Sequence, residues 1–287
     1  MQPERVERAN QSAMTTNDFP SLAEALLPWV LAAGAVEMRH RAAGVAVETK
    51  PDSSPVTVAD REAEALLLEG LRIAAPGVPV VAEECAAAGD VPVKGSAYFL
   101  VDPLDGTREF IKGSGEFTVN IGLVVDGVPV FGIIYAPVVG ALFVTLGAGR
   151  AVETAISVDE HAPSLATRTL SELATRAPDL DALTVVTSRS HRAGSVEAFL
   201  AGYAVAEIRR GGSSLKFCQV ARGDADFYVR LGPTNEWDTA AGQAILAAAG
   251  GCVTALDGTP LTYGNTQDMI NPPFVAWGRA PIAPSKR

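Results

Sequence analysis

The chain has 287 residues, of which 48% are hydrophobic, 20% charged and 6% aromatic. This composition excludes a disordered or fibrous protein and supplies enough apolar residues for one large domain or two small ones. Its 23 Lys and Arg against 33 Asp and Glu leave a net charge of −10, which argues against a basic face for nucleic acid or for an anionic membrane.

The N-terminal part of the chain predicts two helices. Residues 1–17 carry charges of both signs without an apolar core, so they are not a secretory signal and we expect them to be disordered. An amphipathic helix follows, and Pro28 is expected to kink or restart it. A second helix begins at about Thr57 and ends before Pro76, which places Asp60 in its first turn.

Two short apolar strands come next, at 78–84 and 97–103, and both end in acidic residues. Carboxylates from both strands can meet at one edge of a sheet. The uncharged segment 127–149 is long enough to span a bilayer, but two prolines and five glycines interrupt it. We therefore predict a buried antiparallel meander and no integral membrane segment.

The second half of the chain alternates strand and helix signals from about residue 183 onward. Alternation of this kind predicts an α/β layered domain, so the fold class is α/β, with an α+β N-terminal half. The weakly patterned stretch 150–182 indicates a seam between the halves. We place the boundary near residue 160 and expect domains at 18–160 and 161–287.

The cysteine pattern indicates the cellular compartment in which the protein works. The three cysteines lie far apart and form no CxxC pair, so they indicate neither a disulfide framework nor a zinc site. A reducing cytoplasm fits this pattern best. Peripheral association with the inner membrane stays open, although no anchor is visible.

The segment 102–107 carries the strongest chemical signal. Asp102 and Asp105 flank a proline turn directly after an apolar strand, so their carboxylates can converge on one hard cation such as Mg²⁺. The amides of Gly106 and Thr107, at the start of a predicted helix, favour a phosphate. A metal site and a phosphate site would then be adjacent.

Taken alone, each acidic residue also has a purely structural interpretation. An Asp-rich turn is common, and Asp238 can serve simply as the N-cap of the Ala-rich helix that follows Trp237. The functional interpretation depends on their combination with Glu83, which ends the neighbouring strand, and with Asp60.

These motifs resemble those of the inositol monophosphatase-like family of Mg²⁺-dependent, lithium-sensitive phosphatases. The resemblance covers about 20–275, and its motifs lie at 55–60, 83–84, 102–107, 237–242 and 249–251. It implies a layered αβαβα sandwich of the sugar-phosphatase type. Within the family, the segments 108–112, 115–121, 188–191 and 212–217 are most similar to bacterial 3′(2′),5′-bisphosphate nucleotidases.

The resemblance implies a reaction and a metal set. The substrate would be a small phosphorylated nucleotide, adenosine 3′,5′-bisphosphate, hydrolysed to AMP in sulfur metabolism by in-line attack of an activated water. One Mg²⁺ would be bound by Glu83, Asp102 and the carbonyl of Leu104. A second would be bound by Asp102, Asp105 and Asp238, and a third, weaker site would lie near Asp60 and Glu83.

The resemblance also implies roles beyond the metal ligands. Asp60 and Thr107 would position the attacking water, and Lys216 or His191 would contact the second phosphate, away from the metals. The complete set of expected substrate-binding residues is Glu83, Leu104, Asp105, Gly106, Thr107, Ser188, His191, Ser214, Lys216 and Asp238.

Other classes fit less well. A haloacid-dehalogenase phosphatase needs acidic residues two apart, whereas Asp102 and Asp105 are three apart. The stretch from Asp224 lacks the Gly and Glu of an EF-hand loop, and no P-loop occurs. Three alternatives stay open: an inositol monophosphatase, another sugar phosphatase, and a metal-binding module without turnover.

Overall fold

A computed structural model describes residues 19–44, 47–49, 55–189, 194–265 and 268–285. The predictions for 1–17 and for His191 lie outside these residues. The helices are α1 (Phe19–Ala43), α2 (Val58–Ala74), α3 (Glu83–Ala87), α4 (Thr107–Ile111), α5 (Ser195–Leu200), α6 (Leu215–Ala221) and α7 (Glu236–Ala248), with a 3₁₀ turn at Leu165–Thr167.

Most strands belong to two sheets. The strands are β1 (Val47–Thr49), β2 (Pro55–Thr57), β3 (Val80–Ala82), β4 (Ala97–Asp105), β5 (Thr118–Val125), β6 (Val128–Ala136), β7 (Ala141–Gly147), β8 (Arg150–Ala155), β9 (Ser171–Glu172), β10 (Leu183–Ser188), β11 (Val205–Gly211), β12 (Phe227–Arg230), β13 (Thr234–Asn235), β14 (Cys252–Ala255), β15 (Ile270–Asn271) and β16 (Phe274–Trp277). Strands β3 to β9 form a seven-stranded sheet in sequence order, and β11-β10-β12-β16-β14 form a five-stranded sheet.

Three helical layers enclose these two sheets. Helices α1 and α2 pack on the outer face of the seven-stranded sheet. Helices α6 and α7 lie between the sheets, and α5 packs on the far face of the five-stranded sheet. The arrangement is the αβαβα sandwich that the family resemblance implied, and in it each amphipathic element buries its apolar face against a neighbouring layer.

Helix α1 differs from the prediction at Pro28. The helix runs unbroken for 25 residues through this proline, so the expected restart does not occur. Pro28 is exposed, and the backbone hydrogen bond it removes lies on the solvent side. α1 is also long and apolar enough to cross a membrane by length and composition, yet Leu26, Leu27 and Val30 are fully buried in the core.

The uncharged segment 127–149 forms strands, as predicted. It contributes β6 and β7, which pair antiparallel with each other, and β6 also pairs antiparallel with β5. Asp126 and Gly127 both have positive φ in the turn between β5 and β6. The segment is buried because it lies at the centre of the seven-stranded sheet.

The sheet topology brings the acidic strand ends together. Strand β3 runs parallel to β4, with Ala82 opposite Val101, so both strands end at the same edge. Glu83 follows Ala82 and Asp102 follows Val101, and the two side chains share a hydrogen bond, which confirms that their carboxylates meet there. The regular pairing of β4 with β5 is interrupted between Asp102 and Asp105, where the chain turns into α4.

The central helix α7 lies very close to the seven-stranded sheet. Gly122 of β5 and Gly132 of β6 are opposite each other in the sheet. A Cβ at Gly132 would lie 2.2 Å from the Ala241 carbonyl oxygen of α7, and a Cβ at Gly122 would lie 2.8 Å from the Ala241 amide nitrogen. The two glycines therefore set the distance between α7 and the sheet.

The seven-stranded sheet extends through β9 to Glu172, and the five-stranded sheet begins with β10 at Leu183. The domain boundary near residue 160 stays a prediction. In the second half, the predicted alternation is present as β10, α5, β11, α6, β12 and α7 in chain order.

Candidate active site

A cleft of about 820 Å³ opens where residues from both halves meet. It collects the predicted substrate-binding residues that the structure describes, whereas His191 lies outside the described residues. These residues are Glu83, Leu104, Asp105, Gly106, Thr107, Ser188, Ser214, Lys216 and Asp238, and Asp102 lines the cleft as well.

The irregular C-terminal end of β4 fixes the first two carboxylates. The backbone amide of Leu104 donates a hydrogen bond of 3.0 Å to Asp102 Oδ1, which holds the side chain against its own turn. Asp102 is only 1% exposed. Asp105, two residues beyond the proline, accepts a 3.4 Å hydrogen bond from the side-chain amide of Asn120 on β5.

Asp60 is held by the start of α2. Its Oδ2 accepts hydrogen bonds from the Thr57 amide at 2.7 Å and from the Thr57 hydroxyl at 2.6 Å, a capping box that closes the first turn. Its Oδ1 lies 3.4 Å from the Thr107 hydroxyl, which is also 3.3 Å from the Leu104 carbonyl oxygen. The predicted pairing of Asp60 with Thr107 is thus present in the structure.

Asp238 has a different local role from the one considered in the sequence. Helix α7 begins at Glu236, its N-cap is Asn235, and Asp238 is the third residue of the helix. Asp238 Oδ2 accepts a 3.0 Å hydrogen bond from the Asn235 amide. The simple N-cap interpretation of Asp238 is therefore wrong, because the side chain closes a capping box while also lining the cleft.

The acidic side chains of the cleft repel one another. Burial, together with the charges of Glu83, Asp105 and Asp238, raises the pKa of Asp102 well above its usual value. Burial and the charges of Asp105 and Glu83 likewise raise the pKa of Asp238. Burial raises the pKa of Asp105 to about 6, a shift limited by the Lys216 ammonium and by the Ser214 amide.

This donor set fits a hard divalent cation. Several carboxylates and a carbonyl oxygen face one cleft, and a cation there would relieve the repulsion between them. Among the described residues, no group of three or more His, Cys, Asp or Glu side chains is arranged so that it could hold a metal ion by itself. Mg²⁺ does not require one, because it retains waters and is bound by one or two carboxylates together with substrate phosphate.

Lys216 lines the same cleft as these carboxylates. It is 5% exposed, donates a hydrogen bond to the Ser213 carbonyl oxygen and lies 5.3 Å from the ring centroid of Tyr228. Burial lowers the pKa of Lys216 to about 8, against the opposing attraction of Asp105. Its contact with a second phosphate stays a prediction.

Ser214 and Ser188 have defined partners as well. The Ser214 hydroxyl lies 2.8 Å from the Thr118 hydroxyl and donates a 2.8 Å hydrogen bond to the Asn120 side chain. Ser188 accepts a 2.9 Å hydrogen bond from the guanidinium of Arg230. Ser214 therefore connects the C-terminal half of the chain to β5 of the N-terminal half, whereas Ser188 contacts a residue of its own half.

Sequence reasoning missed two residues. Arg230, at the end of β12, lines the cleft and donates hydrogen bonds to Ser188 and to the carbonyl oxygens of Gly232 and Pro233. The sequence signal that could have identified Arg230 is its position as a basic residue between an apolar strand and a Gly-Pro turn. Glu64 on α2 contacts the backbone of α3, and no sequence motif marks it.

Comparison with known proteins identifies the family. Residues 20–280 match the model of the inositol monophosphatase family. The chain therefore belongs to the inositol monophosphatase family.

Comparison with individual members of the family shows which of them this chain resembles most strongly among those compared. The 3′(2′),5′-bisphosphate nucleotidase CysQ of Escherichia coli strain K12 is 42% identical over 234 residues, covering 79% of this chain and 87% of that protein. A crystal structure of CysQ from Bacteroides thetaiotaomicron is 36% identical with a TM-score of 0.73, covering 90% of this chain and 97% of that one. An inositol monophosphatase from Anabaena is 28% identical with a TM-score of 0.65, covering 90% of both chains. The predicted family and its CysQ branch are confirmed.

Proposed function

We propose that the protein is a Mg²⁺-dependent 3′(2′),5′-bisphosphate nucleotidase, a phosphoric monoester hydrolase that removes the 3′-phosphate of adenosine 3′,5′-bisphosphate to give AMP. The observation that carries the proposal is the position of Thr107, whose hydroxyl lies 3.4 Å from Asp60 and lines the same cleft as the carboxylates. The substrate assignment is supported by the CysQ relatives. A cytoplasmic role in sulfur metabolism follows from the same proposal.

The metal would be held by residues of this cleft. Glu83, Asp102 and the Leu104 carbonyl would bind one Mg²⁺, and Asp102, Asp105 and Asp238 would bind a second. A third, weaker site would lie beside Asp60. When bound, Mg²⁺ neutralises phosphate charge and lowers the pKa of water.

Thr107 and Asp60 are suited to orient the attacking water. The Thr107 hydroxyl has one proton, which it can donate to Asp60 Oδ1 or to the Leu104 carbonyl oxygen. Its lone pairs can then accept a hydrogen bond from a water in the cleft. Because Thr57 fixes the opposite oxygen of the Asp60 carboxylate, the acceptor for the Thr107 proton is held in place.

The phosphoryl group and the nucleoside would contact different parts of the cleft. The amides of Gly106 and Thr107, where the chain turns into α4, would bind non-bridging phosphate oxygens. Lys216, Ser188, Ser214 and His191 would contact the rest of the nucleotide. Arg230 adds a positive charge on the same side, since it is hydrogen bonded to Ser188.

Phosphate release from two substrates side by side tests the proposal. Adenosine 3′,5′-bisphosphate and inositol 1-phosphate are each incubated with Mg²⁺ and with a chelator. We expect Mg²⁺-dependent release with a clear preference for the nucleotide. A preference for the inositol ester would support an inositol monophosphatase instead, and Mg²⁺ binding without turnover of either substrate would support the metal-binding module.

A further inference from the structure

Glu64 is a buried carboxylate outside the cleft that contacts the element carrying Glu83. It lies on α2, one helical turn after Asp60, and is 4% exposed. One carboxylate oxygen accepts a 2.7 Å hydrogen bond from the Glu84 amide, and the other accepts a 3.0 Å hydrogen bond from the Cys85 amide. Both amides belong to the first turn of α3.

Helix α3 has no N-cap side chain that can accept a hydrogen bond from its first turn. Its N-cap is Ala82, whose side chain makes no capping hydrogen bond. The amides of the second and third helical residues are the ones that an N-cap side chain normally satisfies. Here those residues are Glu84 and Cys85, so Glu64 supplies from a neighbouring helix the acceptor that Ala82 lacks.

The two amides in turn explain why Glu64 tolerates burial. A buried carboxylate is costly unless hydrogen bonds or a cation compensate its charge. The ion pairs among the described residues do not include Glu64, whereas the exposed Glu69 of the same helix pairs with Arg72 at 2.6 Å. The hydrogen bonds from α3 therefore compensate the cost of burying the Glu64 carboxylate.

This contact joins two parts of the proposed site. Asp60 and Glu64 are four apart on α2 and face the same side of the helix, because residues at this spacing are neighbours on a helical surface. Asp60 contacts Thr107, while Glu64 fixes the turn of α3 that begins at Glu83. One rigid helix thus holds both the water-orienting residue and the backbone of a metal ligand.

We propose that Glu64 is a positioning residue that fixes Glu83 for Mg²⁺ binding by capping α3 in place of Ala82. The proposal rests on the metal site of the proposed function. Residues that orient metal ligands typically change metal affinity 10- to 100-fold when they are substituted.

The test uses Glu64→Gln, which keeps the shape of the side chain but replaces one acceptor oxygen with a donor. Mg²⁺ binding is measured calorimetrically on the full chain without substrate, and hydrogen exchange is measured at the Glu84 and Cys85 amides. We expect binding about tenfold weaker than in the unsubstituted protein and faster exchange at both amides. Glu69→Gln is the matched control on the same helix, and we expect it to change neither readout.

A conservative variant separates positioning from general loss of stability. Glu64→Asp keeps both acceptor oxygens, so it should recover part of the Mg²⁺ affinity that Glu64→Gln loses. Measurements are made well below the Tm of each variant. Unchanged Mg²⁺ affinity in folded Glu64→Gln would overturn the proposal, and so would unchanged exchange at the two amides.

The two proposals can fail separately. If the unsubstituted protein binds Mg²⁺ but does not hydrolyse the nucleotide, the proposed function fails while the binding and exchange results still decide the role of Glu64. If the unsubstituted protein does not bind Mg²⁺, both proposals are overturned.

Discussion

At the residue scale, Thr107 is the polar group on which water orientation depends. Its hydroxyl is the only atom of this side chain that can contact both a water and Asp60. We therefore expect Thr107→Val to lower kcat by a factor of about 10²–10⁴, the range for loss of an oriented proton acceptor. Steady-state kinetics with saturating Mg²⁺ measures the effect.

Thr107→Ser is the control for this prediction. It keeps the hydroxyl and should retain most of the activity. Both variants should bind Mg²⁺ in calorimetry, because the threonine side chain is not among the proposed ligands. Full activity of Thr107→Val would show that Asp60 does not act through Thr107.

A second prediction at this scale concerns Glu37, which is fully buried in α1 with neither carboxylate oxygen hydrogen bonded among the described residues. Burial, together with the nearby charge of Asp60, raises the pKa of Glu37 well above its usual value. Below the unfolded pKa near 4.5 the carboxyl is protonated in both states. As pH rises above that value only the unfolded state ionises, so the folded protein loses stability.

We accordingly expect Glu37→Met to stabilise the protein, and to do so more at pH 8 than at pH 5. The gain at the higher pH should be about 1–3 kcal/mol, the cost of a buried unsatisfied polar group. Denaturant unfolding of both proteins at the two pH values gives the comparison. A gain that is equal at both pH values would contradict the raised pKa.

At the element scale, the position of α7 depends on the paired glycines beneath it. A Cβ at Gly132 would lie only 2.2 Å from the Ala241 carbonyl oxygen of α7. Gly132→Ala must therefore displace either the helix or the sheet, and overpacking of this kind costs about 1–3 kcal/mol. Because α7 carries Asp238, we also expect weaker Mg²⁺ binding.

Gly147→Ala is the matched control, since a Cβ at Gly147 of β7 meets no atom within 4 Å. Chemical unfolding and Mg²⁺ calorimetry on the two variants test the prediction. We expect Gly147→Ala to resemble the unsubstituted protein in both measurements. Unchanged stability and metal binding in Gly132→Ala would show that α7 can move away from the sheet without cost.

At the scale of the whole molecule, Glu116 links the two halves at the rim of the cleft. Its carboxylate accepts hydrogen bonds from the Arg189 guanidinium, one of them at 2.7 Å, and a 2.9 Å hydrogen bond from the Gly212 amide. Glu116 precedes β5 in the N-terminal half, whereas Arg189 and Gly212 follow β10 and β11. The contact fixes one wall of the cleft relative to the other.

We expect Glu116→Gln and Arg189→Gln each to raise KM for the nucleotide several-fold with a smaller change in kcat, because substrate must then order the two walls. In a double-mutant cycle the effects should be less than additive, since both substitutions break the same contact. Substitution of the exposed Arg209, which pairs with Glu207 on β11, is the control. Strict additivity of the two changes would exclude a shared role.

Local sequence patterns predicted much of the proposed site. Asp102 and Asp105 flank a turn after an apolar strand, and Asp60 follows Thr57 at capping-box spacing, so short-range geometry fixes both groups. The expected restart of the helix at Pro28 was wrong, because an exposed position tolerates the missing hydrogen bond, whereas the expected kink stays a prediction. Sequence reasoning also misassigned the helix start near Asp238, where Asn235 competes for the N-cap position.

The sequence alone indicated an α/β fold class through the periodicity of its helices and strands, and it placed the carboxylates in motifs a few residues long. The resemblance that these motifs carry implied the family and its αβαβα sandwich. Tertiary structure decided which distant groups meet. Glu64 caps a helix about 20 residues away in the chain, the charge of Lys216 acts on Asp105, and Arg230 contacts Ser188. Such contacts depend on how helices and sheets pack, and packing leaves no fixed spacing in the sequence.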